Sequence, residues 1–279
     1  MNRLARLREA GVSIWLDTLS RELLVTGEFE RLVHDFAVSG ATSNPTIFAK
    51  AITGSDGYDD DLRALAHDGV TDLQELFFAL ALDDIRAAAD LLRPAYDASG
   101  GTDGFVSFEC TPDLADDTDG TTGQALELWG RLERPNVMIK VPATAAGVPA
   151  IEELTARGVN VNVTLLFAVE RYEEVIDAYL SGLERRMKDG AAIDHIASVA
   201  SFFVSRVDAK ADAQLPPDSH CAVGSRSPTP SVPTAAPWST SRVSAGEPCR
   251  PRAAGRSGRC GRAPGPRIPP TPTCSTSSA

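Results

Sequence analysis

A lysine sits inside an apolar run in Asn136-Val-Met-Ile-Lys-Val-Pro-Ala-Thr, and here the sequence offers chemistry most directly. Withdrawal from water disfavours a charged amine, so Lys140 placed there is a neutral nucleophile able to attack a carbonyl and form a Schiff base. An exposed or ion-paired lysine at a strand end is the alternative that the same residues allow. Two acids could move the protons of such a reaction: Asp17, which ends Ser13-Ile-Trp-Leu-Asp, and Glu109, which ends Phe105-Val-Ser-Phe-Glu. Either could instead cap the helix that follows it. Polar residues close other apolar runs in the same way. Asn44 follows Gly40-Ala-Thr-Ser, Asn162 and Thr164 end Val159-Asn-Val-Asn-Val-Thr, and Ser201 ends Ile196-Ala-Ser-Val-Ala-Ser. Where parallel strands close into a barrel their C-terminal ends converge on one mouth, and these groups would meet there.

The elements that must position them alternate along the first 215 residues. Short apolar runs predict strands at Val12–Asp17, Gly40–Ser43, Phe105–Glu109, Val137–Val141, Val159–Val163 and Ile196–Ala200. Amphipathic spacing predicts helices at Glu28–Val38, Asp59–Ala66, Leu73–Ala98, Thr122–Leu132, Val148–Arg157 and Ala168–Asp189. Asp72 with Glu75 three residues on has the form of a capping box, and Gly158 stands where a helix would stop before the next strand. Gly100, Gly101 and Gly120 read as loop punctuation. The order of elements predicts an α/β fold, a (β/α) barrel that stops two strands short of the eight it needs. No internal repeat, dinucleotide-binding glycine motif or Walker loop points to a nucleotide fold.

Composition sharpens the division. The net charge of −11 argues against nucleic acid as a partner, since phosphate backbones are bound by clustered Lys and Arg. No stretch reaches the roughly 20 apolar residues of a membrane helix, and Met1–Gly11 has no apolar signal core, so a cytoplasmic location is expected. Residues 216–279 differ in kind: they hold 13 of the 19 prolines, eight Arg, no Lys and two acids, a balance of +6 that leaves −17 for the rest. With Val223, Val232, Val243 and Ile268 as their large aliphatics they are expected to be a disordered tail. Cys221, Cys249, Cys260 and Cys274 lack any Cys-x-x-Cys spacing and read as incidental thiols, so no metal site is expected.

Six stretches together resemble the transaldolase family, of the bacterial type with a Trp-Leu-Asp first strand. They are Trp15-Leu-Asp-Thr, Gly40-Ala-Thr-Ser-Asn-Pro-Thr-Ile-Phe, Val106-Ser-Phe-Glu, Val137-Met-Ile-Lys-Val-Pro-Ala-Thr, Asn160-Val-Asn-Val-Thr-Leu-Leu-Phe and Ala200-Ser-Phe-Phe-Val-Ser-Arg-Val-Asp, in family order. The resemblance implies a (β/α)8 TIM barrel of the class I aldolase type. It implies transfer of a dihydroxyacetone unit between sedoheptulose 7-phosphate and glyceraldehyde 3-phosphate, without metal or organic cofactor, in the non-oxidative pentose phosphate pathway. By motif it makes Lys140 the Schiff-base lysine, Asp17 the acid/base at the carbon–carbon bond, and Glu109 a partner acting through water with Thr164. Thr42, Asn44 and Asn162 become binders of substrate hydroxyls, Ser201 and Phe203 pocket residues, and Arg206 the first phosphate anchor. Sugar phosphates are the partners implied, and the resemblance leaves the oligomeric state open.

Past Val207-Asp208 the family pattern ends, where the resemblance would continue with two further βα units and a second phosphate-binding segment. The tail composition is that of GC-rich coding DNA read out of frame. Codons for Arg259–Ile268 can be chosen so that dropping two bases yields Leu-Trp-Ala-Ser-Thr-Gly-Thr-Lys-Asp, which is family-like, and Pro269–Ser278 behaves similarly. A reading-frame change between about Pro216 and Cys221 is therefore expected. Two other readings stay open: a Schiff-base aldolase on a smaller substrate, and a pseudoenzyme or inactive product.

Overall fold

Within residues 3–215, which the computed structural model describes, strands and helices alternate as the apolar pattern predicts. Six strands, β1 (Ile14–Leu16), β2 (Val38–Thr42), β3 (Val106–Glu109), β4 (Val137–Pro142), β5 (Val161–Leu166) and β6 (Ser198–Phe202), pair in chain order. Every pairing is parallel, and the sheet curls into part of a barrel whose edges among the described residues are β1 and β6. The tail expected to be disordered, its cysteines and the expected reading-frame change lie outside the described residues.

Helices fill the crossovers: α1 (Arg3–Glu9), α2 (Arg21–Val25), α3 (Glu28–Phe36), α4 (Pro45–Gly54), α5 (Asp59–His67), α6 (Leu73–Ala98), α7 (Thr118–Leu132), α8 (Gly147–Ala156), α9 (Val169–Lys188) and α10 (Val204–Asp212). The core lies between sheet and helices. Val106 and Phe108 of β3, Ile139 and Val141 of β4, and Val161 and Val163 of β5 are fully buried against Phe78, Leu82 and Ile85 of α6, Leu128 of α7 and Leu154 of α8. These strand residues recur at a period of two, so one sheet face is apolar and the intervening positions face the other way. Those intervening positions carry Ser107, Glu109, Lys140, Asn162 and Thr164. Burying an aliphatic or aromatic side chain contributes about 1.5–3 kcal/mol, and that term anchors the strands that hold the polar face.

Several local expectations are revised. The helix expected over Glu28–Val38 ends at Phe36, because Ala37 adopts a left-handed conformation (φ 59°) and frees Val38 to begin β2. The strand expected at Ile196–Ala200 begins instead at Ser198, while Ile196 packs with Tyr179 and Leu183 and its carbonyl accepts the Tyr179 hydroxyl at 3.0 Å. Helices α1, α2, α4 and α10, of 5–10 residues, lie in stretches where no helix was expected. Asp72 does cap α6, accepting from the Glu75 amide at 2.8 Å, but the Glu75 carboxylate pairs with Arg131 of α7 rather than closing a capping box. Gly158 ends α8 at φ 87°, as expected. Gly120 is not loop punctuation: it lies in the first turn of α7, where a Cβ would come within 2.5 Å of the Asp117 carboxylate that caps the helix.

One buried polar cluster ties the start of the chain to the core. Asp84 of α6, 1% exposed, accepts from Arg21 Nε and from the Tyr58 hydroxyl at 2.7 Å. The Tyr58 oxygen in turn accepts the Arg21 amide at 2.8 Å, and Arg21 also pairs with Asp61 of α5. Burial pushes the Asp84 carboxyl above the usual carboxylate range despite the guanidinium beside it. The cluster fixes α2, which begins four residues after Asp17.

Candidate active site

Lys140 projects from β4 with its side chain 9% exposed. Its Nζ donates to the Ser43 carbonyl at 3.4 Å and lies 3.6 Å from Glu109 Oε2 on the adjacent strand, where Glu109 and Lys140 are Cα partners. The lysine is both buried and ion-paired. Burial pushes the Glu109 carboxyl upward, with Lys140 pulling the other way. A carboxyl raised by burial beside an amine is suited to proton transfer.

On the far side of Lys140, Asn162 is its Cα partner on β5 and is 2% exposed. Asn162 Nδ2 donates to the Ser107 hydroxyl at 2.8 Å, and its Oδ1 accepts from the Ser201 hydroxyl at 2.8 Å. A polar line therefore runs from Ser107 on β3, across β4, to Ser201 on β6. Thr164, 1% exposed, lies two residues beyond Asn162 on the same strand face. Thr42 ends β2 as the Cα partner of Ser107, and its buried hydroxyl has no hydrogen-bond partner among the described residues. Buried hydroxyls are normally paired, so the free Thr42 hydroxyl has hydrogen-bonding capacity to spare.

The helix-capping alternative for the two acids is removed by the residues that do the capping. Ser20 caps α2, accepting from the Leu23 amide at 3.3 Å, and Asp117 caps α7. Asp17 itself is exposed just past β1, and its carboxylate has no hydrogen-bond or ion-pair partner among the described residues. It stands at the edge strand; Trp15, two residues before it, lies on Gly40, where a Cβ would meet the indole at 2.5 Å. Asn44 has a structural role beside the one expected of it: its Oδ1 accepts from the Ile47 amide at 2.9 Å and caps α4, with Pro45 in the first turn. Arg206 is exposed in the first turn of α10 with its guanidinium 4.4 Å from the Phe203 ring centre. A cation at a helix N-terminus adds side-chain charge to amides that already favour an anion.

Sequence reasoning missed Ser43 and Ser107. Ser107 was findable, because it precedes Glu109 by two positions and so shares its strand face. Ser43 acts through its carbonyl, for which no side-chain signal exists. Cys110 next to Glu109 is a poor nucleophile: it is 3% exposed and burial pushes its thiol up to about 12.

A family model described as Transaldolase/Fructose-6-phosphate aldolase matches residues 14–235. The chain is 52% identical over 212 residues to a protein named Transaldolase from Acidothermus cellulolyticus, covering 76% of this chain and 57% of that one. It is 52% identical over 215 residues to Transaldolase 1 from Streptomyces avermitilis, covering 77% and 57%. It is 50% identical over 212 residues to the Transaldolase of Mycolicibacterium smegmatis, covering 76% and 57%. The chain thus spans 57% of the length of these curated relatives.

Proposed function

The chain belongs to the transaldolase/fructose-6-phosphate aldolase family, and from that premise we propose that its site performs cytoplasmic transaldolase chemistry through a Schiff base on Lys140. The observation that carries the proposal is the buried Lys140 amine with the Glu109 carboxyl 3.6 Å away. In this reading Lys140 passes a proton to Glu109, its amine adds to the C2 carbonyl of a ketose phosphate, and the resulting carbinolamine hydroxyl leaves as water with that proton, giving an iminium. Asp17 takes the proton of the C4 hydroxyl as the C3–C4 bond breaks; the bonding electrons pass into the iminium and the aldose phosphate departs. The resulting enamine adds to the aldehyde carbon of the acceptor, and Asp17 returns the proton to the new alkoxide. Water then hydrolyses the imine, with Glu109 moving the proton through a water held by Thr164.

Thr42, Asn44 and Asn162 bind the dihydroxyacetone hydroxyls, a role supported by the unpaired Thr42 hydroxyl and by the free choice of partners that Asn162 has once substrate displaces Ser107 or Ser201. Ser201 and Phe203 line the pocket and Arg206 anchors the phosphate. The donor and acceptor are sedoheptulose 7-phosphate and glyceraldehyde 3-phosphate, yielding erythrose 4-phosphate and fructose 6-phosphate in the pentose phosphate pathway. Net aldol cleavage is a second reading, favoured by a family description that names a fructose-6-phosphate aldolase beside transaldolase.

Borohydride added with fructose 6-phosphate tests the proposal on the full chain. Mass spectrometry is expected to find a reduced adduct on the peptide holding Lys140, and none on that peptide in Lys140→Ala. An adduct on Lys50 or Lys210, or no adduct, sinks the assignment. Released glyceraldehyde 3-phosphate without an acceptor separates cleavage from transfer.

A further inference from the structure

The chain does something costly immediately after Thr164. Leu165 is a non-glycine residue in the left-handed region, at φ 59°, where the Cβ of an L-residue crowds its own backbone. The pairing of β5 with β6 slips at the same point: Val163 partners Ala200 and Leu166 partners Phe202, so three steps on β5 match two on β6. This is a β-bulge, a device that re-aims the residues after it. Beyond the bulge Leu166 is fully buried, and its carbonyl accepts the Phe203 amide at 3.4 Å. Phe167 emerges 55% exposed with its ring stacked on Phe203, centres 5.6 Å apart and planes 20° from parallel. Phe203 in turn lies under the Arg206 guanidinium.

We infer that Phe167 is a positioning residue for Arg206: the Leu165 bulge presents its ring to Phe203, and the Phe167–Phe203 stack holds the platform on which the guanidinium meets the substrate phosphate. The inference rests on the reading of Arg206 as phosphate anchor and of Lys140 as Schiff-base lysine. Among the described residues this large aromatic, more than half exposed beside a strained leucine, fills no core position, since Leu166 already does. Stacking confines the Phe203 ring, and the ring confines a long flexible cation that has no carboxylate partner among the described residues. Without Phe167 the guanidinium keeps its charge and loses its fixed place.

The test measures borohydride-trapped adduct on Lys140 in the full chain, against concentration of fructose 6-phosphate and separately of dihydroxyacetone, which has no phosphate. For Phe167→Ala the ratio of the two half-saturating concentrations is expected to move about two- to tenfold against the phosphorylated ligand, the range that one aromatic pair spans. Phe167→Tyr is expected to restore the parent ratio, and Phe167→Leu, which keeps the bulk without the ring, to behave like Ala. Leu165→Gly, which adopts the same backbone conformation without strain, is expected to keep the parent ratio. An unchanged ratio in both Phe167→Ala and Phe167→Leu, or an equal shift for both ligands, overturns the positioning role. Absence of adduct from the parent chain overturns the Lys140 reading instead, and Arg206→Ala leaving the ratio untouched overturns the phosphate-anchor reading.

Discussion

Replacing Asp84 by Ala removes the centre of the cluster that fastens α2 to α6. The carboxylate is 1% exposed and accepts from Arg21 Nε and the Tyr58 hydroxyl. Its loss leaves Arg21 Nε without its acceptor, while Arg21 Nη2 is already buried with no partner. Removing one member of a buried ion pair costs about 3–5 kcal/mol. Here Arg21 is 17% exposed and keeps Asp61, which places the ion-pair loss at or below the bottom of that range, about 2–3 kcal/mol. The Tyr58 hydroxyl, deprived of an acceptor in the core, adds about 1 kcal/mol. The expected destabilisation is about 3–4 kcal/mol at pH 7, read as a lowered urea midpoint at unchanged m-value. Asp84→Asn keeps an acceptor for Tyr58 and should lose about half as much, whereas Asp61→Ala, removing a half-exposed partner, should cost under about 1 kcal/mol.

The same series has a pH signature. Because burial raises the folded Asp84 carboxyl above its ordinary value, the margin of the parent over Asp84→Asn is largest below about pH 4 and shrinks as pH rises through the folded value. The deficit of the Asn variant therefore narrows toward neutrality. Since α2 follows the Asp17 turn, Asp84→Ala should also slow C3–C4 cleavage, read as release of the aldose phosphate, beyond what the unfolded fraction explains. Equal costs for Asp84→Ala and Asp61→Ala, or a deficit that widens with rising pH, would refute the reasoning.

Two further outcomes follow from other parts of the molecule. Glu109→Gln should remove the acidic limb of the pH profile for adduct formation, a limb expected above the ordinary Glu value of 4.5 because the carboxyl is raised by burial. By the same sign, the parent loses stability relative to the Gln variant as pH rises from about 4.5 through the folded value, on top of a constant cost for Lys140 left without its carboxylate; pH-resolved urea melts measure both. Gly147→Ala should destabilise by about 3 kcal/mol or more in the same melts, because the added Cβ falls inside the van der Waals distance of the Pro142 carbonyl at the end of β4; a loss under about 1 kcal/mol shows that α8 can slide.

Much of this protein is set by its linear order. Alternating apolar and amphipathic stretches suffice for the six strands and for α3 and α5 to α9, because a period of two and one of 3.6 are properties of the chain itself. Helix α6 is legible to its ends, Leu73–Ala98, since Asp72 caps it and 26 periodic residues leave little room for error. The candidates for the site are also written in sequence, in polar residues that close apolar runs. What linear order leaves open is partnership. It offers Asp17 and Glu109 alike as caps or as site groups, and only the fold assigns the caps to Ser20 and Asp117 and adds a cap at Asn44. It cannot place Glu109 3.6 Å from Lys140, which depends on the register between β3 and β4, nor give the Ser43 carbonyl to the lysine across 97 residues. The bulge at Leu165 is invisible for the same reason: strand register is a relation between two chain segments, settled by packing of the buried face, and no residue carries it alone.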